Sequence, residues 1–300
     1  MHVAVTGATG FLGRYIVRHV TCGGGVCRCW YRRRSDRSGM SAEEGRLDWV
    51  PGGLNDPRST AALVQGCDAV VHAALDRPGA GFRGAEGDLV AFVERNVVGT
   101  IRLMDAARAA GVKRFVFIST CAVHEKILDD RPLDEAHPLW PSSHYGAHKA
   151  AIEKFMHSYG LGYGYPICAL RPTGIYGLAH PAQKSRWFDL VQAVKRGGTV
   201  PVARGGKEVH AADVARAVEV LLNAPAERIA GQAFNCYDLY VHEHDVATIA
   251  KRLSGSSAKI VGEPSRPTHQ IETGKLRALG MTFGGPPLLE QTIRELLAVA

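Results

Sequence analysis

The opening of this chain, a short apolar strand followed by three evenly spaced glycines, constrains its fold more than any other feature. Val3–Val5 leads into Gly7, Gly10 and Gly13, and a helical pattern begins at Phe11. Unpaired backbone N–H groups and the helix dipole at such a helix N-terminus favour a pyrophosphate. Gly7 would permit the tight turn, Gly10 the approach of a phosphate, and Gly13 close packing of helix on strand. The spacing alone is a weak signal, and a strand-to-helix turn without a ligand is the alternative.

Strands and helices alternate along the first part of the chain. Strands are predicted at residues 2–6, 26–31, 47–50, 68–73, 114–119 and 165–171. Helices are predicted at about 11–22, 57–65, 87–111 and 143–160. Runs such as Phe115–Ile118 are apolar on both faces, as the strands of a buried parallel sheet must be. The alternation predicts an α/β fold, a Rossmann-type doubly wound parallel sheet, with ligands beyond the carboxyl ends of its strands.

The pattern becomes less regular after Pro172. Helices are predicted near 184–196, 211–223, 243–254 and 287–298, and short strands near 199–203, 233–237 and 258–261. The pair Gly205-Gly206 and the segment 284–287 are predicted to be turns. We therefore expect residues 1–172 to form the dinucleotide-binding domain and residues 173–300 to form mainly a small C-terminal substrate-binding lobe. The late strand near 231–237 is expected to return to the first domain.

Bulk composition excludes several classes of protein. With 300 residues, 46% of them hydrophobic, the chain can bury the core of one large α/β domain and a smaller lobe. No apolar run is long enough to span a bilayer and no signal peptide precedes the first strand, so we expect a cytoplasmic protein without a membrane partner. The seven cysteines lack the pairing of a metal site, which favours reduced thiols and no metal.

Two further patterns have simple explanations. The net charge is +7 and the sharpest basic cluster is Arg32–Arg34, but no recognition motif accompanies it. We therefore expect no nucleic acid partner, and the charge would instead attract an anionic cofactor or substrate. His242–Asp245 has the residue types of a metal site. Adjacent ligands at a helix start cannot converge on one ion, so helix capping is predicted there.

A tyrosine and a lysine share one face of the helix predicted at 143–160. Tyr145 and Lys149 are separated by one helical turn, so their side chains point the same way. A phenol has a pKa of about 10, and a neighbouring ammonium lowers it. Tyr145 could then exchange a proton with a carbonyl or alcohol oxygen. A surface Tyr/Lys pair is the alternative.

Two hydroxyl residues, Ser119 and Thr120, end the strand predicted at 114–119. In a doubly wound sheet this end of a strand borders the ligand crevice. Thr120 could hold a substrate oxygen and help to orient Tyr145. Alternatively, its hydroxyl only caps the strand end.

Together these features resemble the extended branch of the short-chain dehydrogenase/reductase superfamily, which contains the NAD(P)-dependent epimerases and dehydratases. The resemblance covers nearly the whole chain. Its motifs are Thr6–Gly13, Asp68–Ala74, Asn96–Thr100, Phe117–Thr120, Tyr145–Lys149, Leu170–Gly177, Val209–Ala215, Gly231–Tyr237 and Thr273–Gly280. The set is specific to the branch but not to a substrate.

The resemblance implies roles for individual residues. The catalytic group would be Thr120, Tyr145 and Lys149, and Lys149 would also bond the nicotinamide ribose. The pyrophosphate would be held by Gly7, Gly10, Phe11, Leu12 and Gly13. Around the rest of the cofactor, Ala73 and Ala74 would line the ribose, Asn96 would steady the loops, and Pro172, Thr173 and Ile175 would flank the nicotinamide.

The chain departs from the family pattern where the cofactor is chosen. NAD-preferring members carry an acid at the end of the second strand, but this chain has Arg32 and Arg33. Guanidinium groups pair bidentately with a 2′-phosphate. We therefore expect NADP(H) to be preferred, with NAD(H) as the alternative.

Other departures concern the substrate. The 4,6-dehydratases of the branch have an acid and a base after the catalytic threonine, whereas Thr120 is followed by Cys121, so dehydration of that type is not expected. An arginine that grips the substrate diphosphate in many members is missing from Gly205–Glu208. The residues expected to contact substrate are Cys121, His124, Arg186 and Trp187.

The resemblance thus predicts an NAD(P)-dependent oxidoreductase. It would transfer hydride between the nicotinamide and a carbonyl or alcohol on a small molecule of the sugar or nucleotide-sugar type. An epimerase that retains NAD through an internal redox cycle would use the same residues, and a non-catalytic NADP(H)-sensing regulator is an alternative of another class. The resemblance also implies a homodimer formed through the Tyr145 helix.

Overall fold

The computed structural model describes residues 1–79, 84 and 86–299. The strands are, in chain order, β1 His2–Thr6, β2 Val26–Tyr31, β3 Leu47–Pro51, β4 Ala69–His72, β5 Arg114–Ile118, β6 Ile167–Pro172, β7 Gly174–Tyr176, β8 Thr199–Pro201, β9 Gly205–His210, β10 Gln232–Cys236, β11 Leu239–His242 and β12 Lys259–Val261. The α-helices are α1 Phe11–Cys22, α2 Pro57–Val64, α3 Leu89–Val93, α4 Gly99–Ala109, α5 His144–His157, α6 Phe188–Arg196, α7 Ala211–Asn223, α8 Ala226–Ile229, α9 Glu243–Ser254, α10 Gly274–Arg277 and α11 Gly285–Ala298.

The chain divides into two compact units. The first unit comprises Met1–Pro172, Val214–Cys236 and Glu272–Met281. The second unit comprises Thr173–Asp213, Tyr237–Ile271 and Thr282–Ala300. Residues 214–236 and 272–281 thus lie with the first unit, whereas the sequence analysis assigns most of residues 173–300 to the C-terminal lobe.

The first unit is built on a seven-stranded sheet in the order β10-β6-β5-β4-β1-β2-β3. Every neighbouring pair in this sheet is parallel. The chain runs outward from β1 in one direction through β2 and β3, and in the other through β4, β5 and β6. The predicted doubly wound fold is confirmed, and the direction of winding changes beside β1, where such sheets bind ligands.

Both faces of this sheet are covered. Phe115 and Phe117 of β5 point to one face and Val116 to the other, and all three are fully buried. Leu103 of α4 and Ile152 of α5 belong to the same core cluster as the two phenylalanines. Burying a side chain of this size contributes about 1.5–3 kcal/mol. The apolar strands therefore lie inside the fold, as their composition predicts.

Several predicted helices match the structure closely. The helices predicted at 11–22, 211–223 and 243–254 are α1, α7 and α9 with the same bounds. The helix predicted at 87–111 is divided into α3 and α4 by a π-helical turn at Glu94–Val98. The helix predicted at 143–160 is α5, followed by a π-helical turn at Ser158–Gly162. At His242, the ring accepts an N–H bond from His244 and Asp245 accepts the His242 N–H, so this segment caps α9 as predicted.

The second unit contains a three-stranded sheet, β11-β9-β7, and the strand pair β12-β8. The turn predicted at Gly205-Gly206 is wrong, because both glycines lie in β9. A Cβ at Gly205 would overlap the Tyr240 hydroxyl, and one at Gly206 would overlap the Glu208 carboxylate. These glycines therefore make room for neighbouring side chains within a strand instead of reversing the chain.

The helices that the structure describes include none that is long and apolar enough to cross a membrane. All seven cysteines are free thiols, and five of them are buried. Among the same described residues, no group of three or more His, Cys, Asp or Glu side chains is arranged to hold a metal ion.

Candidate active site

The turn between β1 and α1 is shaped by close backbone contacts. Gly7 has a φ of +72°, and a Cβ there would lie 2.8 Å from the carbonyl carbon of Ala73. A Cβ at Gly13 would overlap the backbone of Gly7. Glycine at position 7 allows both the left-handed conformation and the close contact with Ala73, and glycine at position 13 allows the close contact with the Gly7 backbone. The turn is thereby seated against the residues that follow β4.

The N-terminus of α1 fits a phosphate group. Within the described residues no side chain caps this helix and its first turn holds no acid, whereas Asp56 and Asp88 cap α2 and α3. A Cβ at Gly10 would have one neighbour within 4 Å, the Gly7 oxygen, so the space above Gly10 is open. The N–H groups of Phe11, Leu12 and Gly13 begin this uncapped helix. They suit the pyrophosphate of a dinucleotide.

A buried hydrogen-bond chain fixes the other side of the turn. The Thr6 hydroxyl accepts the N–H groups of Ala73 and Ala74, both at 3.1 Å, and lies 2.6 Å from His72 Nδ1. With both acceptor sites of the hydroxyl used, its proton points to Nδ1, so Nε2 carries the ring proton and donates to Thr100 Oγ1 at 2.8 Å. Burial lowers the pKa of His72 to about 3, which keeps the ring neutral. Ala73 and Ala74 are held in place by this chain.

Asn96 organises the loop after β4. Its Oδ1 accepts the Asp76 N–H at 2.8 Å, and its Nδ2 donates to the Asp76 and Phe92 carbonyl oxygens at 2.8 and 3.0 Å. The side chain is buried. Asn96 thus holds the loop after β4 in place, and its role beside the cofactor stays a prediction.

Arg32 and Arg33, the first two of three arginines after β2, are both exposed. Arg32 Nη1 donates to Asp76 Oδ2 at 3.1 Å, and its backbone N–H donates to Ser35 Oγ at 2.8 Å. Arg33 follows it in the same exposed turn. A cation therefore stands at the position where the sequence comparison with NAD-preferring members expects an acid.

Lys149 lies on the inner face of α5. Ser143 caps this helix by accepting the Gly146 N–H at 3.1 Å. Lys149 Nζ donates to the Ile118 carbonyl oxygen at 2.8 Å and lies 4.5 Å from the centre of the Phe117 ring. Burial lowers the pKa of Lys149 to about 7, while the Glu153 carboxylate acts in the opposite direction. The ammonium is therefore tied to the carboxyl end of β5.

Tyr145 stands one helical turn before Lys149 and is partly exposed. Its ring centre lies 5.3 Å from that of His148, whose other side meets Phe92. Burial lowers the pKa of His148 to about 3, so this ring is neutral. Partial burial lowers the pKa of Arg77, and the charge of a Tyr145 phenolate acts in the opposite direction. The charge of a Tyr145 phenolate thus acts on the guanidinium of Arg77.

Thr120 is the second residue after β5, whose last residue, Ile118, supplies the carbonyl that holds Lys149. Its Oγ1 accepts the Ala122 N–H at 3.1 Å and starts the 3₁₀ turn Cys121–His124. The residue is partly exposed, so the hydroxyl proton remains available for another acceptor. The structure thus places Lys149 and Thr120 at the carboxyl end of one strand, with Tyr145 one turn before Lys149 on the same helix. Their joint role in catalysis stays a prediction.

Glu153 and Arg171, which the sequence analysis did not assign to the site, lie in the interior next to this group. Glu153 follows Lys149 by one turn of α5 and is fully buried. It accepts bonds from Ser119 Oγ at 2.5 Å and from Arg171 Nη2 at 2.6 Å. The spacing of Tyr145, Lys149 and Glu153 on one helix face was a usable signal. That Arg171 of β6 would be its partner could not be read from the sequence.

Cys121 and His124 are both bonded to Arg171. Cys121 Sγ donates to the Arg171 carbonyl oxygen at 3.0 Å, and burial raises the pKa of this thiol to about 12. Arg171 Nη1 lies 3.1 Å from His124 Nε2, which must be the acceptor because guanidinium only donates. His124 Nδ1 therefore carries the ring proton and faces the Pro138 oxygen at 3.3 Å. Burial lowers the pKa of His124 to about 4, so the ring is neutral. Contact of Cys121 or His124 with the substrate stays a prediction.

The remaining predicted site residues fall at the unit boundary and in the second unit. Pro172 ends β6, Thr173 directly precedes β7, and Ile175 lies within β7. Arg186 Nη2 lies 2.6 Å from Glu208 Oε1, and the guanidinium is 5.3 Å from the centre of the Trp187 ring. These two side chains are thus held by a buried carboxylate and by each other.

Comparisons with known proteins agree with this arrangement. A family model described as the NAD dependent epimerase/dehydratase family matches residues 3–236. The chain belongs to this family. It is an NAD(P)-dependent enzyme of the extended short-chain dehydrogenase/reductase type, and the resemblance seen in the sequence is confirmed.

Relatives of this family member include a glycan biosynthesis protein and a UDP-glucose 4-epimerase. It is 29% identical over 298 residues, 93% of each chain, to the low-salt glycan biosynthesis protein Agl12 of Haloferax volcanii. It is 28% identical over 200 residues, 66% of this chain and 58% of the relative, to a UDP-glucose 4-epimerase of Vibrio cholerae.

Solved structures of the family share the fold. The dTDP-glucose 4,6-dehydratase DesIV of Streptomyces venezuelae, with NAD bound, aligns at a TM-score of 0.77 and 26% identity over 98% of this chain and 96% of that one. A UDP-glucose 4-epimerase of Thermotoga maritima, solved with UDP-glucose, aligns at a TM-score of 0.80 and 20% identity over 98% of both chains. The second similarity establishes the fold alone.

Proposed function

We propose that this enzyme transfers hydride between the nicotinamide of NADP(H) and a carbonyl or alcohol carbon of a sugar-type or nucleotide-sugar-type substrate. The observation that carries the proposal is the buried Lys149 ammonium, fixed by the Ile118 carbonyl on the helix face that also carries Tyr145. A cation beside a phenol favours the phenolate. Because α1 begins with uncapped N–H groups at an open glycine turn, the same unit also fits a dinucleotide.

Each residue of the group has a distinct task in the proposed reaction. When bound, the nicotinamide supplies or accepts the hydride. For reduction, Tyr145 gives its phenol proton to the substrate oxygen, and for oxidation the phenolate takes the proton of the substrate hydroxyl. Thr120 donates a hydrogen bond to the same oxygen, and Lys149 stabilises the phenolate. Each reduction therefore uses one hydride and one proton, and the phenolate regains its proton from water before the next turnover; oxidation runs the same steps in reverse.

Arg32 and Arg33 support the preference for NADP(H). A guanidinium after β2 is an attractive partner for a 2′-phosphate and offers no acceptor to ribose hydroxyls. The relatives named above, with NAD in the DesIV structure, make NAD(H) the competing cofactor. An epimerase that keeps NAD through an internal cycle is the second candidate, favoured by the UDP-glucose 4-epimerase relative.

Cofactor titration and turnover test the proposal together. NADPH and NADH fluorescence is followed on adding enzyme, and the preferred nucleotide is used to screen keto sugars, sugar acids and nucleotide sugars. Net consumption of NADPH by a carbonyl compound supports the oxidoreductase. Retained NAD with interconversion of two sugars and no net consumption selects the epimerase. Absence of binding of either nucleotide contradicts both.

Substrate contacts are proposed for the second unit as well. The Arg186 side chain is 43% exposed while its Nη2 is anchored by Glu208, so this partly exposed guanidinium suits an anionic substrate group. Trp187 beside it offers an apolar ring surface to a sugar or base. Arg186→Met should raise the KM for a substrate with a phosphate or carboxylate and leave a neutral analogue unaffected.

A homodimer formed through α5 is proposed on its exposed apolar residue. Phe155 is 43% exposed on this helix, although aromatic side chains usually lie in the interior or in an interface. Phe155→Glu should then shift the mass measured by light scattering from dimer to monomer.

The free cysteines support a reducing, cytoplasmic location, because disulfides are rare in the cytoplasm.

A further inference from the structure

An ion pair crosses the carboxyl end of the strand that leads into the glycine turn. Arg32 follows β2 and Asp76 follows β4, and β1 lies between these two strands in the sheet. Arg32 Nη1 nevertheless reaches Asp76 Oδ2 at 3.1 Å. The pair therefore spans the end of β1, beside the turn at Gly7–Gly10 where the dinucleotide fits.

Asp76 is the fixed partner of the pair. Its backbone N–H and carbonyl are both bonded to the buried Asn96 amide at 2.8 Å. Its Oδ1 forms a second ion pair with Arg95 Nε at 2.9 Å. The Asp76 side chain is 34% exposed and that of Arg32 is 67% exposed. Asp76 therefore determines where the more exposed guanidinium points.

The bond to Asp76 leaves one edge of the guanidinium open. Only Nη1 of Arg32 is used, and among the described residues Nε and Nη2 have no polar partner. Two parallel N–H groups on one edge match two oxygens of a phosphate. The Ser35 hydroxyl and N–H hold the Arg32 backbone in a turn, both at 2.8 Å. Both the backbone and the side chain of Arg32 are thereby oriented.

We propose that Asp76 is a positioning residue for cofactor choice, holding Arg32 across the end of β1 so that its open edge binds the 2′-phosphate of NADP(H). The inference rests on the proposed preference for NADP(H) and adds the residue that orients its recognition. Asp76 would act only through Arg32. It would not itself touch the nucleotide.

Direct binding titrations with four variants test the inference. Dissociation constants of NADPH and NADH are measured by fluorescence for Arg32→Ala, Arg32→Lys, Asp76→Asn and the double variant Arg32→Ala/Asp76→Asn. The matched control is Asp48→Asn, which breaks another Arg–Asp pair, between Arg28 of β2 and Asp48 of β3 at 2.6 Å. Asp76→Asn keeps both backbone bonds to Asn96, and thermal melting confirms folding.

The expected pattern is specific to the 2′-phosphate. Arg32→Ala should weaken NADPH about 10–100-fold, the range of a lost charge-assisted bond pair. Arg32→Lys should recover only part of this, because an ammonium lacks the fork. Asp76→Asn should weaken NADPH about 3–5-fold, as expected for an exposed ion pair, and leave NADH unchanged. In the Arg32→Ala background it should have no further effect.

Three results would overturn the inference, and they can be told apart. If the unmodified enzyme prefers NADPH but Asp76→Asn leaves its affinity unchanged or tightens it, Asp76 does not position Arg32, while the NADP(H) proposal stands. If Asp76→Asn weakens NADH, Asp76 is itself a ribose ligand. If the unmodified enzyme prefers NADH, the NADP(H) preference fails and this inference fails with it.

Discussion

Lys149 Nζ donates a hydrogen bond to the Ile118 carbonyl oxygen, 2.8 Å away, and so joins the helix that carries Tyr145 to the strand that ends before Thr120. The bond takes up one of the three ammonium protons. Two remain for the ribose and phenol contacts proposed for this lysine. The same burial that makes the contact rigid makes the charge costly.

Replacing Lys149 with Met should abolish turnover and stabilise the fold near neutral pH. The folded pKa is about 7 against 10.5 for an ordinary lysine. Below pH 7 the folded protein must bury the charged lysine, so its full cost to the free energy of unfolding is present. As the pH rises from 7 to 10.5, the free energy of unfolding increases by at most about 1.4 kcal/mol per pH unit. The variant should gain about 1–3 kcal/mol at pH 7 and less at pH 10 in urea unfolding. Exposed Lys154→Met is the control, and an equal gain there would refute the assignment.

Replacing Tyr145 with Phe removes the proton carrier and little else. The expected loss in kcat is at least about 100–10,000-fold, the usual range for a general acid or base. Affinity for the preferred nucleotide should stay within about twofold, since the phenol oxygen is not assigned to cofactor binding. Single-turnover kinetics and fluorescence titration measure the two effects, and an active Phe variant contradicts the role.

Gly13→Ala tests the close packing of α1 on the glycine turn. The new Cβ would overlap the Gly7 backbone, which cannot move away as a flexible side chain would. We expect a loss of at least about 3 kcal/mol or failure to fold. Gly45→Ala, where a Cβ would meet nothing within 4 Å, should change the free energy of unfolding by less than about 1 kcal/mol. Similar results for both variants would count against this close packing of helix on turn.

The buried His72 should make the fold sensitive to acid. Its folded pKa is about 3, below the ordinary value of 6.5, so the unfolded chain binds a proton that the folded chain does not. Stability is complete above pH 6.5 and falls by about 1.4 kcal/mol per unit as the pH drops toward 3. His72→Gln should flatten this slope in urea unfolding between pH 6 and 4. Exposed His2→Gln is the control and should leave the slope unchanged.

Glu208 should act in the opposite sense in the second unit. Burial raises its pKa from 4.5 to about 7, although Arg186 lowers it in part. The folded protein therefore holds a proton that the unfolded chain has lost, and stability falls as pH rises from 4.5 to 7, by about 3 kcal/mol at most. Glu208→Gln should reduce the difference between unfolding at pH 5 and pH 8. An unchanged difference, or the same effect from exposed Glu263→Gln, would contradict this.

The relative placement of the residues proposed for catalysis could be predicted in part, because helix geometry is local. Tyr145 and Lys149 fall on one face by spacing alone, and a parallel sheet brings strand ends such as Thr120 to one edge. Glu153 was also within reach of this reasoning. Its partner Arg171 was not, since which buried cation meets a buried carboxylate depends on the packing of α5 on β6.

The second unit was less predictable for a related reason. The glycines of β9 suggested a turn, because local preference says nothing about Tyr240 and Glu208 filling the space beside them. Short strands such as β7 carry too few residues for a recognisable pattern. Their pairing partners are remote in the chain, so only the folded molecule identifies them.

By itself, the sequence determined the doubly wound sheet, the glycine turn and the shared face of Tyr145 and Lys149 on α5, since each follows from periodicity or from spacing within a few residues. The tertiary structure alone decided which groups are desolvated and paired: Lys149 with the Ile118 oxygen, Arg32 with Asp76, and Arg186 with Glu208. Those pairings join residues from different elements. Their distances and burial, which set charge and orientation, come into being only when the chain packs.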